Sequence, residues 1–145
     1  MHADAIIRQV VWEEAQQELL EVRQKVFVCE QRIAPDIEID GKDPDCYHVL
    51  ATSPSGQPIG VGRMTATGKI GRIAVLMPYR GGGLGSLILN KLIEIANNEK
   101  MTNVHLNAQI QALRFYEQHR FIPKGPVFME AGIPHRSMQR YTRYS

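Results

Sequence analysis

Residues 70–86 read IGRIAVLMPYRGGGLGS and combine an apolar strand, a glycine-rich loop and the start of a helix. The first turn of a helix leaves backbone N–H groups unpaired, and the aligned peptide dipoles make that end partly positive. Glycine lets the backbone approach an anion closely, because it has no Cβ and accepts positive φ. Arg80 adds a permanent cation immediately before Gly81–Gly83. The stretch therefore predicts a phosphate-binding turn, with a glycine-rich connection that binds nothing as the alternative.

Two other phosphate-binding motifs fit this stretch less well. A P-loop needs Gly-Lys-Ser/Thr where the helix opens, and Leu84-Gly85-Ser86 provides no lysine. A dinucleotide-binding fingerprint that begins at Gly81 needs a glycine where Ser86 stands. Both motifs are therefore disfavoured.

Hydrophobic periodicity predicts the elements on either side of the loop. Strands are predicted at Ala5–Trp12, Tyr47–Thr52, Ile59–Ala66, Lys69–Leu76, Val104–Ala108, Phe121–Glu130 and Arg136–Tyr144. Helices are predicted at Glu13–Val28, Leu84–Asn97 and Gln109–Arg120, an acidic, solvated loop at Asp36–Asp45, and a turn at Gly132–Pro134. This order indicates one α/β (α+β) domain over residues 1–145, with a mixed, mostly antiparallel sheet flanked by helices.

Composition narrows the classes of function. A net charge of +2 over 145 residues is too small to predict a nucleic-acid partner, and no stretch is long and apolar enough to predict a membrane span. Cys29 and Cys46 do not form a CxxC pair, so we expect reduced thiols in a cytoplasmic protein. The series Asp36, Glu38, Asp40 resembles the start of a calcium loop but has Tyr47 in the twelfth position, so no metal site is expected.

Several segments resemble one known family, the GNAT N-acetyltransferases. Arg80-x-x-Gly83-x-Gly85 after a strand resembles the pyrophosphate loop of that superfamily, and residues 109–116, QIQALRFY, are similar to its last helix with the family's tyrosine at Tyr116. Residues 23–31, RQKVFVCEQ, and residues 132–138, GIPHRSM, resemble the ElaA/YjcF-like branch. These segments are spread over nearly the whole chain.

The resemblance implies a twisted GNAT-like sheet that binds acetyl-CoA as cosubstrate. In such folds the strand before the loop diverges from its neighbour, and its backbone pairs with the pantetheine chain. The resemblance assigns acetyl-CoA contacts to Ile73, Ala74, Val75, Arg80, Gly81, Gly82, Gly83, Gly85, Ser86, Asn107 and Gln109. Two positions depart from the family pattern: Gln109 stands where asparagine is common, so Asn107 is the substitute contact, and Arg120 replaces a glycine that often ends the last helix.

Amine acetylation needs a base for the ammonium group, donors for the thioester oxygen and an acid for the departing thiolate. Tyr116 is the candidate acid, and a backbone N–H near Ala74 or Val75 is the candidate oxygen donor. Gly71 and Arg72 do not supply the carboxylate that related enzymes often carry on this strand.

The base is therefore left open among Glu30, Glu38, Glu130, His135 and water-mediated proton transfer. Glu30 and His135 lie in the branch signatures and are the catalytic candidates beside Tyr116. We expect Glu30, the acidic loop through Asp40 and Glu130–His135 to converge opposite the pyrophosphate.

The leading hypothesis is acetyl transfer from acetyl-CoA to a primary amine of a small molecule or peptide, by direct attack in a ternary complex. A non-catalytic module that binds or senses acyl-CoA is the alternative, and a structural domain with a vestigial loop is the third. The sequence admits a homodimer and does not identify the acceptor.

Overall fold

The computed structural model describes residues 4–144, so Met1–Ala3 and Ser145 of the predicted domain lie outside the described residues. The strands are β1 (Ile6–Val10), β2 (Tyr47–Thr52), β3 (Pro58–Met64), β4 (Lys69–Val75), β5 (Asn103–Gln109), β6 (Ile122–Glu130) and β7 (Ile133–Tyr141). The α-helices are α1 (Trp12–Arg23), α2 (Pro35–Glu38), α3 (Leu84–Asn98) and α4 (Leu113–Gln118). A π-helical segment, Gln24–Glu30, extends α1.

The strands form one sheet in the order β1-β2-β3-β4-β5-β7-β6. Every neighbouring pair is antiparallel except β4 and β5, which are parallel. This arrangement confirms the predicted mixed, mostly antiparallel sheet. Within residues 4–144, β4 and β5 form only the register pairs Lys69–His105 and Ile70–Leu106. Beyond them lies a space that we call the β4–β5 gap, bounded by Gly71–Val75 and Asn107–Gln109.

Apolar side chains cover both faces of the sheet. On one face α3 buries Ile88, Leu89 and Leu92 at helical spacing. On the other face α1 buries Leu19 and Val22 in a second apolar cluster. Because successive residues of a strand point to opposite faces, each strand can contribute to both clusters. No helix of the described chain is long and apolar enough to cross a membrane.

Glycine in β3 lets α3 pack closely on the sheet. A Cβ on Gly62 would lie 2.7 Å from Cγ2 of Ile88 and 3.0 Å from Cδ1 of Leu92. Both distances are shorter than ordinary carbon contacts, and the two side chains are fully buried. Gly62 therefore fixes how near α3 can approach β3 and, through it, the position of the glycine-rich loop at the start of α3.

Three predicted boundaries are wrong. The first helix becomes π-helical after Arg23, and Pro35 begins α2 because its fixed φ suits a first helical position. The last predicted helix is shorter than expected: β5 continues to Gln109, and α4 starts only at Leu113. Arg120 still adopts the left-handed φ of 69° that glycine would favour.

The third error concerns the last hairpin. Its turn is Ala131-Gly132, with φ of 52° and 75°, and Glu130 pairs with Ile133. Two central residues with positive φ match the type I′ turn, whose twist suits a tight hairpin. The predicted turn residue Pro134 therefore lies in β7, before β7 begins to pair with β5 at His135.

Candidate active site

The glycine-rich loop lies between β4 and α3, at the open end of the β4–β5 gap. Gly81 and Gly83 have φ of 85° and 86°, and Gly82 lies exposed between them. Gly83 is the N-cap residue of α3, and no side chain caps the helix there. A Cβ on Gly81 or Gly83 would have no heavy atom within 4 Å. The loop therefore presents uncapped N–H groups to open space, which is the arrangement of an anion site.

Gly85 and Ser86 belong to the first turn of α3 and contact α4. A Cβ on Gly85 would lie 3.5 Å from the Phe115 ring, an ordinary contact distance, so this glycine faces α4 directly. The Ser86 hydroxyl is hydrogen-bonded to Nε2 of His119 at 2.8 Å. What these residues can offer to a ligand is therefore mainly their backbone N–H groups.

Arg80 is held beside the loop by two hydrogen bonds. Its Nε donates to the Val75 carbonyl at 2.8 Å, and its Nη2 donates to Oε2 of Glu30 at 2.8 Å. The π-helical segment ends at Glu30 and brings this carboxylate to the loop. The sequence analysis expected Glu30 to lie opposite the pyrophosphate. This expectation is wrong, because the ion pair with Arg80 places Glu30 beside the glycine-rich loop.

A cavity of about 460 Å³ lies in the β4–β5 gap, and Ile73 lines it. Ala74 and Val75 pair with Val61 and Gly60 of β3. Among the described residues, the opposite backbone edge of Ile73–Val75 has no strand partner. A register shift in β3–β4 accompanies a φ of 52° at Arg72, as in a β-bulge, which bends a strand and increases its twist. The free edge can hydrogen-bond an extended ligand.

Tyr116 lines the same cavity from α4. Its ring makes edge contacts with Phe115 and Phe121, with ring centroids 5.0 and 5.8 Å apart. Burial raises the pKa of the Tyr116 phenol to about 12, because the charged phenolate would be poorly solvated. The hydroxyl is therefore a stable proton donor at neutral pH.

His135 and Glu130 form the polar end of the cavity. Nδ1 of His135 lies 2.6 Å from the Ile133 carbonyl oxygen, which can only accept, so Nδ1 carries the hydrogen. In the neutral ring the lone pair is then on Nε2, which lies 3.6 Å from Oε2 of Glu130. Phe128 stacks on the imidazole with centroids 6.0 Å apart and fixes its plane. This geometry suits a proton acceptor with an adjacent carboxylate.

Asn107 and Gln109 lie on β5 and line the cavity, but their amides are used by other side chains. Asn107 Nδ2 donates to Oε1 of Glu130 at 3.1 Å and Asn107 Oδ1 accepts from Ser137 at 3.1 Å. Gln109 Nε2 donates to Gln31 at 2.9 Å. Asn107 therefore positions Glu130, and Gln109 joins β5 to the chain that follows the π-helical segment.

The acidic segment is only partly the solvated loop that the sequence predicts: Asp36 and Asp45 are exposed, but Glu38 and Asp43 are buried. Arg23 contacts Glu38 at 2.5 Å and Asp43 at 2.7 Å, where both carboxylates are almost fully buried. Arg63 contacts Asp40 at 2.8 Å and Asp43 at 3.1 Å. Arg72 reaches Asp40 and the Glu38 backbone. We call these six residues the ion-pair cluster: Arg23, Arg63, Arg72, Glu38, Asp40 and Asp43.

The arginines of the ion-pair cluster keep Asp40 and Asp43 ionised. Hydrogen bonds from Arg63 hold the pKa of Asp40 well below its usual range, against the opposing effect of burial. Burial also opposes ionisation of Asp43, but hydrogen bonds from Arg23 and Arg63 outweigh it and lower that pKa. Glu38, a candidate base from the sequence, is buried against Arg23 and is already paired.

Sequence analysis did not assign a site role to the cationic residues that line the cavity, Lys42, Arg63, Lys69 and Arg72. The sequence contains one sign of the ion-pair cluster, which is the presence of arginines in apolar segments. Arg23 lies on the apolar face of α1 beside Val22, and Arg63 stands in an apolar strand, where a charged side chain requires a buried partner. The identity of the partners depends on the fold.

Known proteins share both the sequence and this architecture. A family model described as "Acetyltransferase (GNAT) domain" matches residues 10–142. The uncharacterized N-acetyltransferase YjcF of Bacillus subtilis strain 168 is 34% identical over 132 residues, covering 88% of this chain and 94% of YjcF. Protein ElaA of Escherichia coli K12 is 33% identical over 131 residues, covering 84% of each chain.

Solved structures of other proteins have the same fold as this chain. The crystal structure of Escherichia coli ElaA superimposes with a TM-score of 0.83 at 29% identity, covering 93% of this chain and 99% of that one. An acyl-CoA N-acyltransferase from Pseudomonas aeruginosa gives a TM-score of 0.83 at 28% identity, with coverage of 94% and 99%. The chain therefore belongs to the GNAT acetyltransferase family, and its chemistry is acyl transfer.

Proposed function

We propose that this protein transfers an acetyl group from acetyl-CoA to a primary amine, by direct attack of the amine in a ternary complex. The observation that supports this most is the β4–β5 gap, which has an uncapped glycine-rich loop at its open end and the His135–Glu130 pair in its cavity. A cytoplasmic location agrees with the free thiols of Cys29 and Cys46.

The residues on the donor side fit an extended CoA thioester. N–H groups of Gly81–Ser86 would bind the pyrophosphate, and the free edge of Ile73–Val75 would pair with the pantetheine amides. When bound, acetyl-CoA supplies an activated acyl carbonyl whose leaving group is a thiolate. Backbone N–H groups near Ala74 and Val75 would donate to the carbonyl oxygen as it gains charge.

His135 is the base that the geometry favours. Its Nε2 would take the proton from the ammonium group, and the Glu130 carboxylate, 3.6 Å away, would stabilise the imidazolium that forms. A base is needed because an alkylamine with a pKa near 10 is mostly protonated at neutral pH. Glu30 pairs with Arg80 and Glu38 pairs with Arg23, so neither carboxylate is free for this role.

Tyr116 is the candidate acid for the thiolate. The phenol stays protonated at neutral pH because burial raises its pKa to about 12. It lines the same cavity as His135, so one bound thioester could contact both groups.

A non-catalytic acyl-CoA-binding module is the second candidate. It is favoured by Gly71, which places no carboxylate on β4 and leaves open space where a side chain would lie. Measurement of CoA release from acetyl-CoA with a panel of primary amines separates the two functions: turnover supports the transferase, and saturable binding without turnover supports the module.

Gly83→Asp should weaken acetyl-CoA binding at least about tenfold relative to Gly83→Asn, a difference of about 1.4 kcal/mol. Both side chains tolerate positive φ and both can cap a helix, so the two variants differ mainly in a negative charge beside the bound pyrophosphate. Calorimetric titration gives both dissociation constants. Equal affinities would show that the pyrophosphate does not bind at this loop.

Glu30→Gln should tighten acetyl-CoA binding about two- to fivefold at low salt and leave the amine KM unchanged. Glu30 competes with the phosphates for Arg80, and exposed ion pairs add little to the stability of the fold. The matched control is Glu94→Gln, which breaks an exposed pair with Lys91 farther along α3. A changed amine KM with unchanged acetyl-CoA affinity would return Glu30 to the acceptor side.

His135→Asn should lower kcat roughly 10²–10⁴-fold at neutral pH. The asparagine amide can keep the hydrogen bond to the Ile133 carbonyl, but the variant has no Nε2. The difference in kcat between wild type and variant should shrink as the pH approaches the pKa of the amine, because the amine is then deprotonated in solution and needs no base on the enzyme. A pH–rate profile that stays parallel to wild type, or an unchanged kcat, would remove His135 from the mechanism.

Tyr116→Phe should lower kcat and leave the acetyl-CoA dissociation constant nearly unchanged, because it removes only the hydroxyl. In the wild-type enzyme, deprotonation of Tyr116 should not lower kcat until the pH approaches the raised pKa of about 12. Single-turnover kinetics isolate the chemical step. An unchanged chemical rate in the variant would exclude Tyr116 as the acid.

A further inference from the structure

The charges around the acceptor end of the cavity are not those of a site for a simple cationic amine. Within residues 4–144, the charged side chains that line the cavity are Glu38, Asp40, Lys42, Arg63, Lys69, Arg72 and Glu130. Which of these charges a ligand would experience depends on how they are already paired.

The ion-pair cluster is balanced in charge. It contains three arginines and three carboxylates joined by contacts of 2.5 to 3.5 Å. Asp43 lies between Arg23 and Arg63. Asp40 accepts two bonds from Arg63, of 2.8 and 2.9 Å. Because these carboxylates already accept from arginines, they present little negative charge to a ligand.

The remaining charges in the cavity are Lys42, Lys69 and Glu130. The ion pairs among the described residues involve neither lysine. Glu130 accepts from Asn107 and lies beside His135, at the position proposed for the amine. The unpaired surplus is therefore positive, and it belongs to the two lysines.

Arg72 adds donors to this positive surface. Its hydrogen bonds to the Ile37 and Glu38 carbonyls and to Asp40 all use Nη2, and its Nε lies 3.5 Å from Oε1 of Glu38, so Nη1 takes no part in these contacts. Lys69 and Arg72 are both on β4, where intervening Gly71 has open space at its Cβ position. No side chain at position 71 fills the space beside Lys69 and Arg72, so a small anionic group can approach these two cations, and Lys42 lines the same cavity.

We infer that the acceptor is an amine that also carries an anionic group, a carboxylate or a phosphate, and that Lys42, Lys69 and Arg72 bind that group while the amine reaches His135 and Glu130. This inference rests on the proposed function. A simple diamine would meet two uncompensated lysines and be disfavoured, because like charges in a partly enclosed site repel.

The test compares acceptors of one carbon-chain length with different charge. γ-Aminobutyrate, n-butylamine and putrescine carry an anionic, a neutral and a cationic second end, and phosphoethanolamine with ethanolamine adds a phosphate arm. We expect kcat/KM to be highest for the anionic member of each set, by about tenfold over the neutral one, and to fall with added salt. The better of the two anionic arms identifies carboxylate or phosphate as the group recognised.

Substitutions test whether Lys69 causes the preference for anionic acceptors. Lys69→Gln should reduce the ratio of anionic to neutral kcat/KM several-fold, mainly through KM, and Lys69→Glu should shift the preference toward putrescine. Lys91→Gln is the matched control, because Lys91 is on α3 and pairs with Glu94 outside the cavity. The control should retain the wild-type ratio.

Two results would overturn the inference and leave acetyl transfer intact: equal turnover of anionic and neutral amines, or a preference for putrescine in the wild-type protein. If no amine is acetylated although acetyl-CoA binds, the proposed function fails. The preference for an anionic group is then tested by measuring ligand binding. In that case γ-acetamidobutyrate should bind the CoA complex more tightly than N-butylacetamide in calorimetry. Equal or reversed affinities would contradict the cationic site.

Discussion

The rest of the site depends on one constraint, the end of pairing between β4 and β5 after two residue pairs. The outer neighbours of these strands remain paired: β7 follows β5 from Asn103 to Gln109, and β3 follows β4 to Val75. The gap therefore cannot close by a shift of either strand. Backbone N–H and C=O groups need partners, so the free edge of β4 is an energetically favourable place for an extended ligand that has amides of its own.

The ion-pair cluster is the second element that shapes the site. Burying charged groups costs several kcal/mol per ion unless they are paired with good geometry. Here α1, β3 and β4 each supply one arginine, and the segment from Glu38 to Asp43 supplies the carboxylates. The cluster fixes that segment against the sheet, and because its own six charges balance, Lys42 in the same segment remains an uncompensated cation at this wall of the cavity. Loss of Arg23 alone would leave two buried carboxylates undercompensated.

Local patterns allowed most of the fold to be predicted, including the glycine-rich loop between β4 and α3. The strand, loop and helix of Ile70–Ser86 follow from glycine spacing and helical periodicity, because those signals act between near neighbours. The ion pairs around the site were less predictable, because they join distant residues: Arg23 and Asp43 are 20 positions apart and Arg80 and Glu30 are 50. The turn at Ala131-Gly132 was misplaced because Pro134 is a turn residue in most contexts, yet here it precedes the part of β7 that pairs with β5.

The central claim is that the β4–β5 gap and the uncapped start of α3 together bind an acyl-CoA. Amide hydrogen exchange with and without saturating acetyl-CoA tests it most directly, because protection is read at individual backbone N–H groups. The account predicts increased protection at Ile73–Val75 and Gly81–Ser86, with little change in edge strand β6. Saturable binding with no added protection in these two segments, or with protection confined to other parts of the chain, would contradict it.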